Sequence, residues 1–141
     1  MAKVCEIDCT NMVNGNYLML GNTDLTTWSI SGDYLPQLFN LKSGVRMFYY
    51  CTALEYFYDD LGSLANGSCM FSECNNLSAF ISSGLRSLTD GSFMFDGCTA
   101  LTSFDGDLRS LTNGTYMFND CTNLITFKGD LRSLTNGSFM F

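Results

Sequence analysis

The chain has 141 residues, 46% of them apolar and 14% aromatic, which suffices for one domain with a real core and excludes a disordered polar segment. Seven Lys and Arg against fourteen Asp and Glu leave a net charge of −7, so neither phosphate backbones nor anionic lipid is an expected partner, and no nucleic-acid role is read from it. There is no His, which removes the commonest general base and the usual helper of a Ser or Cys nucleophile, so no enzyme and no catalytic residue is expected.

In chain order, the start "MAKVCEIDCTNMVNG" has one lysine but none of the roughly 7–15 apolar residues in a row that a secretory signal carries, and no later run is long enough to span a membrane. The expectation is cytoplasmic synthesis, no Sec export and no membrane insertion. Residues 1–28 read as an atypical N-terminal cap repeat. Residues 29–43, "SISGDYLPQLFNLKS", read as an insert, loop or short helix, that carries the one Pro. Regular repeats fill 44–141, with the last copy incomplete.

The repeat emerges when the chain is aligned on the glycine of its "NG", "DG" or "SG" step, at Gly15, Gly44, Gly67, Gly91, Gly114 and Gly137, with spacings of 29, 23, 24, 23 and 23. Ten residues after each of the first five stands Leu25, Leu54, Leu77, Leu101 or Leu124, and three further on Trp28, Phe57, Phe80, Phe104 or Phe127. The clearest copy, Met94 to Gly114, reads M-F-x-x-C-x-x-L-x-x-F-x-G-D-L-R-S-L-T-N-G. Apolar steps of three and four fit neither one long helix nor an alternating strand. They fit an all-β or mostly β solenoid of about six 23-residue coils, with a short strand near "LTSF", an extended piece near "DLRSL", turns or short helical pieces between, and a bend at "NG". Gly is expected at positive φ in that bend, with Ser43, Asn66, Asp90, Asn113 and Asn136 bonding nearby backbone. The N-x-S/T matches at Asn66, Asn76, Asn113 and Asn136 are read as by-products of the repeat.

Cys51, Cys74, Cys98 and Cys121 share one slot, so stacked coils place them in a column about 4.8 Å apart, and they are read as a ladder of buried free thiols in an apolar row. Zinc is disfavoured, because a column spreads ligands that a tetrahedral site needs to converge. Cys69 fills the slot of Phe93, Tyr116 and Phe139. Asp60, Asp107 and Asp130 share a slot two residues before Arg86, Arg109 and Arg132 in their own register, which predicts a solvated charge ladder; a calcium site built from Asp105, Asp107 and Asp130 is the weaker alternative, and no cofactor or metal is expected.

The copy "MFYYCTALEYFYDD" places Tyr49, Tyr50, Tyr56 and Tyr58 where a later copy has Asp96, Gly97, Ser103 and Asp105, a candidate contact patch for a protein or glycan partner. The chain closes on Met140 and Phe141, an apolar row: either it is a fragment of a longer array, or the row is covered, with Val4, Cys5, Ile7 and Met12 of another copy as the residues that would continue it head to tail. That gives a rival reading, a structural subunit that stacks into an oligomer or filament.

The string M-F-x-x-C-x-x-L-x-x-F resembles the A-F-x-x-C-x-x-L-x-x-I core of BspA-type leucine-rich repeats, and "SLTNGSxMFxxCTxL" is similar to repeat proteins of gut bacteria and their phages. The resemblance covers residues 44–141 well and 8–43 loosely. It implies a leucine-rich-repeat solenoid serving as an adhesin, interaction scaffold or virion-associated protein, with no shared active site. BspA-type surface proteins usually carry an export signal and further domains, and this chain shows neither, so a phage-encoded or otherwise non-Sec-exported version is expected.

Overall fold

A computed structural model describes residues 8–29, 37–82 and 84–141. Val4, Cys5, Ile7 and residues 30–36 of the 29–43 insert lie outside them. Five short strands follow one another: β1 (Thr27–Ser29), β2 (Tyr56–Asp59), β3 (Ala79–Ser82), β4 (Ser103–Gly106) and β5 (Thr126–Gly129). All pair in parallel and in the register of the repeat, with Phe57 opposite Trp28 and Phe80, and Phe104 opposite Phe127. Among the described residues there is no helix. The architecture is an all-β solenoid of leucine-rich-repeat type, with one strand in each of the first five coils.

The sheet is interrupted between β3 and β4, which belong to separate ladders. The sequence explains the break. From strand aromatic to next leucine is four residues at Phe57–Leu61, Phe104–Leu108 and Phe127–Leu131, but five at Phe80–Leu85. One extra residue shifts the pairing, as a bulge does, and accounts for the single spacing of 24.

A second line of contacts runs opposite the strands. Asn14, Ser43, Asn66, Asp90, Asn113 and Asn136 form a continuous column of parallel bridges. Beyond it, each coil folds into successive turns whose alternate N–H groups point along the solenoid axis: Gly67, Cys69, Phe71 and Glu73 donate to the carbonyls of Asp90, Ser92, Met94 and Asp96 at 2.7–2.9 Å. The residues between them close local turns, as Met70 N–H does on the Gly67 carbonyl.

This geometry corrects the expected role of the glycines. None of the six anchor glycines has positive φ; the left-handed residues stand two and six positions later, at Tyr17, Arg46, Cys69, Phe93, Tyr116 and Phe139 and at Gly21, Tyr50, Glu73, Gly97 and Asp120. The anchors are glycine for want of space. A Cβ on Gly91 would lie 3.2 Å from Leu88, Leu111 and Met117, and one on Gly15 2.9 Å from Met12 and Met47. The left-handed slots carry no β-branched residue, the type that position tolerates least.

The "DLRSL" segment is likewise not extended. Asp107 accepts the Arg109 N–H, and Asp130 that of Arg132, each closing a turn in which carboxylate and guanidinium also pair. The same turn at Asp8, where Oδ1 accepts Thr10 N–H, and at Asp60, where it accepts Gly62 N–H, marks the same point of other coils. Cys9 and Met12 therefore occupy the slots of Leu131 and Leu134, and Leu38 and Leu41 those of Leu61 and Leu64. Hydroxyl columns knit neighbours further: Ser87, Ser110 and Ser133 donate to Gly62, Arg86 and Arg109 carbonyls, and Thr112 and Thr135 to Thr89 and Thr112.

Two aromatic columns fill the core. Phe48, Phe71, Phe95, Phe118 and Phe141 stack nearly coplanar at 5.2–5.7 Å. Phe57, Phe80, Phe104 and Phe127 stack beside them, and rings of the two columns meet edge to face, as Phe80 and Phe95 do at 4.8 Å. The widest step, 6.1 Å between Phe80 and Phe104, falls at the sheet break.

Candidate partner-binding surface

Alternation along the strands decides which side chains leave the core. Phe57 and Asp59 turn inward, and Tyr56 and Tyr58 turn outward, 51% and 43% exposed. Across the register Tyr56 faces Thr27 and Ala79, and Tyr58 faces Ser29 and Ile81, itself 56% exposed. Beyond the break the face becomes polar: Ser103 and Asp105 on β4 stand beside Thr126 and Lys128 on β5, with an exposed Lys128–Asp105 pair at 3.9 Å. The outer sheet surface is thus aromatic and aliphatic over β2–β3 and charged over β4–β5.

Tyr49 and Tyr50 are on the turn side of the same coil. Their rings meet edge to face at 4.9 Å, and the Arg46 guanidinium lies 5.6 Å from the Tyr49 centroid. Among the described residues no ring contact joins this pair to Tyr56 and Tyr58. The four tyrosines form two pairs rather than one cluster.

Each thiol of the cysteine column donates to a main-chain carbonyl of the preceding coil: Cys51 to Met19 at 3.0 Å, Cys74 to Phe48 at 3.1 Å, Cys98 to Phe71 at 3.2 Å and Cys121 to Phe95 at 3.1 Å. All four are free. Burial pushes Cys51 up to about 11 and Cys121 up to about 12, and raises Cys74 and Cys98 as well. These are protonated, unreactive hydrogen-bond donors at neutral pH. Among the described residues no three acidic or cysteine side chains gather as a metal site; Asp107 and Asp130 are held by Arg109 and Arg132.

Asp59 is a site residue that the repeat pattern alone does not single out. It is buried and accepts from Trp28 Nε1–H at 2.8 Å and from the main-chain N–H groups of Gln37, Leu38 and Asp60 at 3.0, 3.2 and 2.7 Å. Burial raises its pKa against the pull of these donors. It pins the chain returning at Gln37–Leu38 to strand β2, directly behind Tyr58. Its signal was a pair of departures in adjacent rows: Trp28 where other coils have Phe, and Asp59 where they have Ser82, Gly106 and Gly129.

No protein-family model matches this sequence, and no curated protein matches it either. Among solved structures, the fold is similar to the crystal structure of a leucine-rich repeat protein of T. pallidum, TpLRR. The TM-score is 0.50 at 22% identity, over 90% of this chain and 68% of that one. The likeness is one of fold.

Proposed function

We propose that the chain is a non-enzymatic repeat scaffold that offers the outer face of β1–β3 to a protein or glycan partner, at a virion or cell surface. The observation that carries this reading is the group Tyr56, Tyr58 and Ile81, exposed side by side on strands whose inward rings are locked in the core. Exposed tyrosines on a rigid sheet give large amphipathic contact area at little entropic cost, and their hydroxyls suit sugar or peptide polar groups. Asp59 stiffens this rung from behind.

The test is binding of the labelled chain to a printed array of bacterial and host glycans and to whole bacterial cells. Tyr56→Ala combined with Tyr58→Ala is expected to weaken attachment at least tenfold, about 1.4 kcal/mol, with the fold intact by circular dichroism. Attachment unchanged in that variant would remove the face from consideration. A second reading is a subunit that stacks head to tail on copies of itself; it draws on the recurrence of one inter-coil contact, in which main-chain N–H groups of each coil meet carbonyls of the next.

A further inference from the structure

One junction between successive strands is made differently from the others. Elsewhere, the two N–H groups that open a strand share one carbonyl of the preceding coil: Glu55 and Tyr56 share that of Thr26 at 2.9 and 3.3 Å, Ser78 and Ala79 that of Glu55 at 3.0 and 3.2 Å, and Ile125 and Thr126 that of Thr102 at 2.9 and 3.4 Å. Between β3 and β4 the corresponding donors, on Thr102 and Ser103, make no bond to the Ser78 carbonyl. The two strands stand in separate ladders.

The core opens at the same level. Phe80 and Phe104 lie 6.1 Å apart, where the steps on either side, Phe57–Phe80 and Phe104–Phe127, measure 5.4 and 5.6 Å. Phe80 is only partly buried, although Phe57 and Phe104 beside it are 1% and 2% exposed. Gly84, at a φ of 152° that side chains rarely adopt, lies in the lengthened step from Phe80 to Leu85.

Behind the strands the same two coils stay joined. Gly67, Cys69, Phe71 and Glu73 N–H meet the carbonyls of Asp90, Ser92, Met94 and Asp96 at 2.7–2.9 Å, the Cys98 thiol donates to the Phe71 carbonyl at 3.2 Å, and the Phe71 and Phe95 rings stack 4° from parallel. Past the strands the ties resume, with the Ser110 hydroxyl donating to the Arg86 carbonyl at 2.7 Å. The opening is confined to the strand face.

We infer that the solenoid is two blocks, coils one to three and coils four to six, hinged at the β3–β4 seam with the turn-side ladder as hinge line. At the seam the strand-opening N–H groups hold no carbonyl that bending would have to release, whereas every movement behind it works against bonded main chain and stacked rings. The seam separates Tyr56, Tyr58 and Ile81 from Asp105 and Lys128, so the bend sets the angle between the aromatic and the charged parts of the outer face. It stands independently of what that face binds.

Residue-resolved amide hydrogen exchange together with 15N relaxation dispersion on the whole chain tests the hinge. Thr102 and Ser103 are expected to exchange at least a hundredfold faster than Ser78, Ala79, Ile125 and Thr126, while Gly67, Cys69 and Phe71 at the same junction stay protected. Dispersion on the microsecond-to-millisecond scale is expected on both sides of the seam, at 78–82 and 102–106, with one shared rate. Protection of Thr102 and Ser103 equal to that of their counterparts would overturn the inference, because the strands would then pair in solution. Fast exchange there without dispersion would overturn it too, leaving a fixed gap in place of a hinge. Deleting Gly84 restores the four-residue step and is expected to slow exchange at Thr102 and Ser103 at least tenfold and to quench the dispersion; a folded deletion variant that behaves as wild type would sever the hinge from the lengthened step. Should that variant fail to fold, the two wild-type measurements decide alone.

Discussion

Phe95→Ala is expected to lower the unfolding free energy by about 3–5 kcal/mol, the range for truncating a fully buried Phe. Phe95 lies at the centre of the core, coplanar with Phe71 and Phe118 at 5.5 and 5.3 Å and edge to face with Phe80 and Phe104 at 4.8 and 5.7 Å. Its loss breaks one aromatic column and removes the edge-to-face contacts that tie it to the other at this level. Because each coil is stabilised by its neighbours, a void here also weakens the coupling between the coils on either side, so a shallower urea transition is expected along with a lower midpoint. Phe141→Ala serves as comparison: the same column position, 64% exposed, is expected to cost about 1 kcal/mol or less. Equal losses in the two variants would mean that the columns are not the main source of stability.

Asp59→Asn is expected to cost about 2–4 kcal/mol, although it changes almost no volume. Four N–H groups converge on the two carboxylate oxygens. An amide keeps one oxygen and turns an NH2 group against one of those donors, leaving buried polar hydrogens facing each other. The indole of Trp28 is expected to report the change as a shift in fluorescence, since its Nε1–H loses its acceptor. A variant as stable as wild type would show that the staple is dispensable.

The register of the fold was legible because a solenoid repeats its needs: an inward leucine, an inward aromatic and a close-packed glycine recur wherever a coil crosses the same point. The reason for each residue was less legible. Glycine can signal either positive φ or lack of space, and the two look alike in a sequence. Here the anchors answer to space, and the left-handed slots are filled by residues as unlike as Arg46, Cys69, Phe93 and Asp120, whose variety concealed their common backbone. The charge row was read as extended because i and i+2 share a face of a strand, but an Asp two residues before an N–H equally closes a turn. Asp59 escaped because its partners Gln37 and Leu38 reach it across the irregular spacing of the second coil, where the repeat could not be used to align them. The tyrosines were visible as departures from the repeat, yet their division into a strand pair and a turn pair depends on alternation about Phe57 that only the fold supplies.

The solenoid that presents the strand face is held by a turn-side ladder whose N–H groups point from each coil to the next. Residue-resolved amide hydrogen exchange on dilute, monomeric protein tests that ladder most directly. Strong protection is predicted at Gly91, Phe93, Phe95 and Gly97, whose N–H groups bond Asn113, Thr115, Met117 and Asn119, and none at Gly137, Phe139 and Phe141. Rapid exchange throughout 91–97, or equal protection at 137–141 in the monomer, would contradict the account.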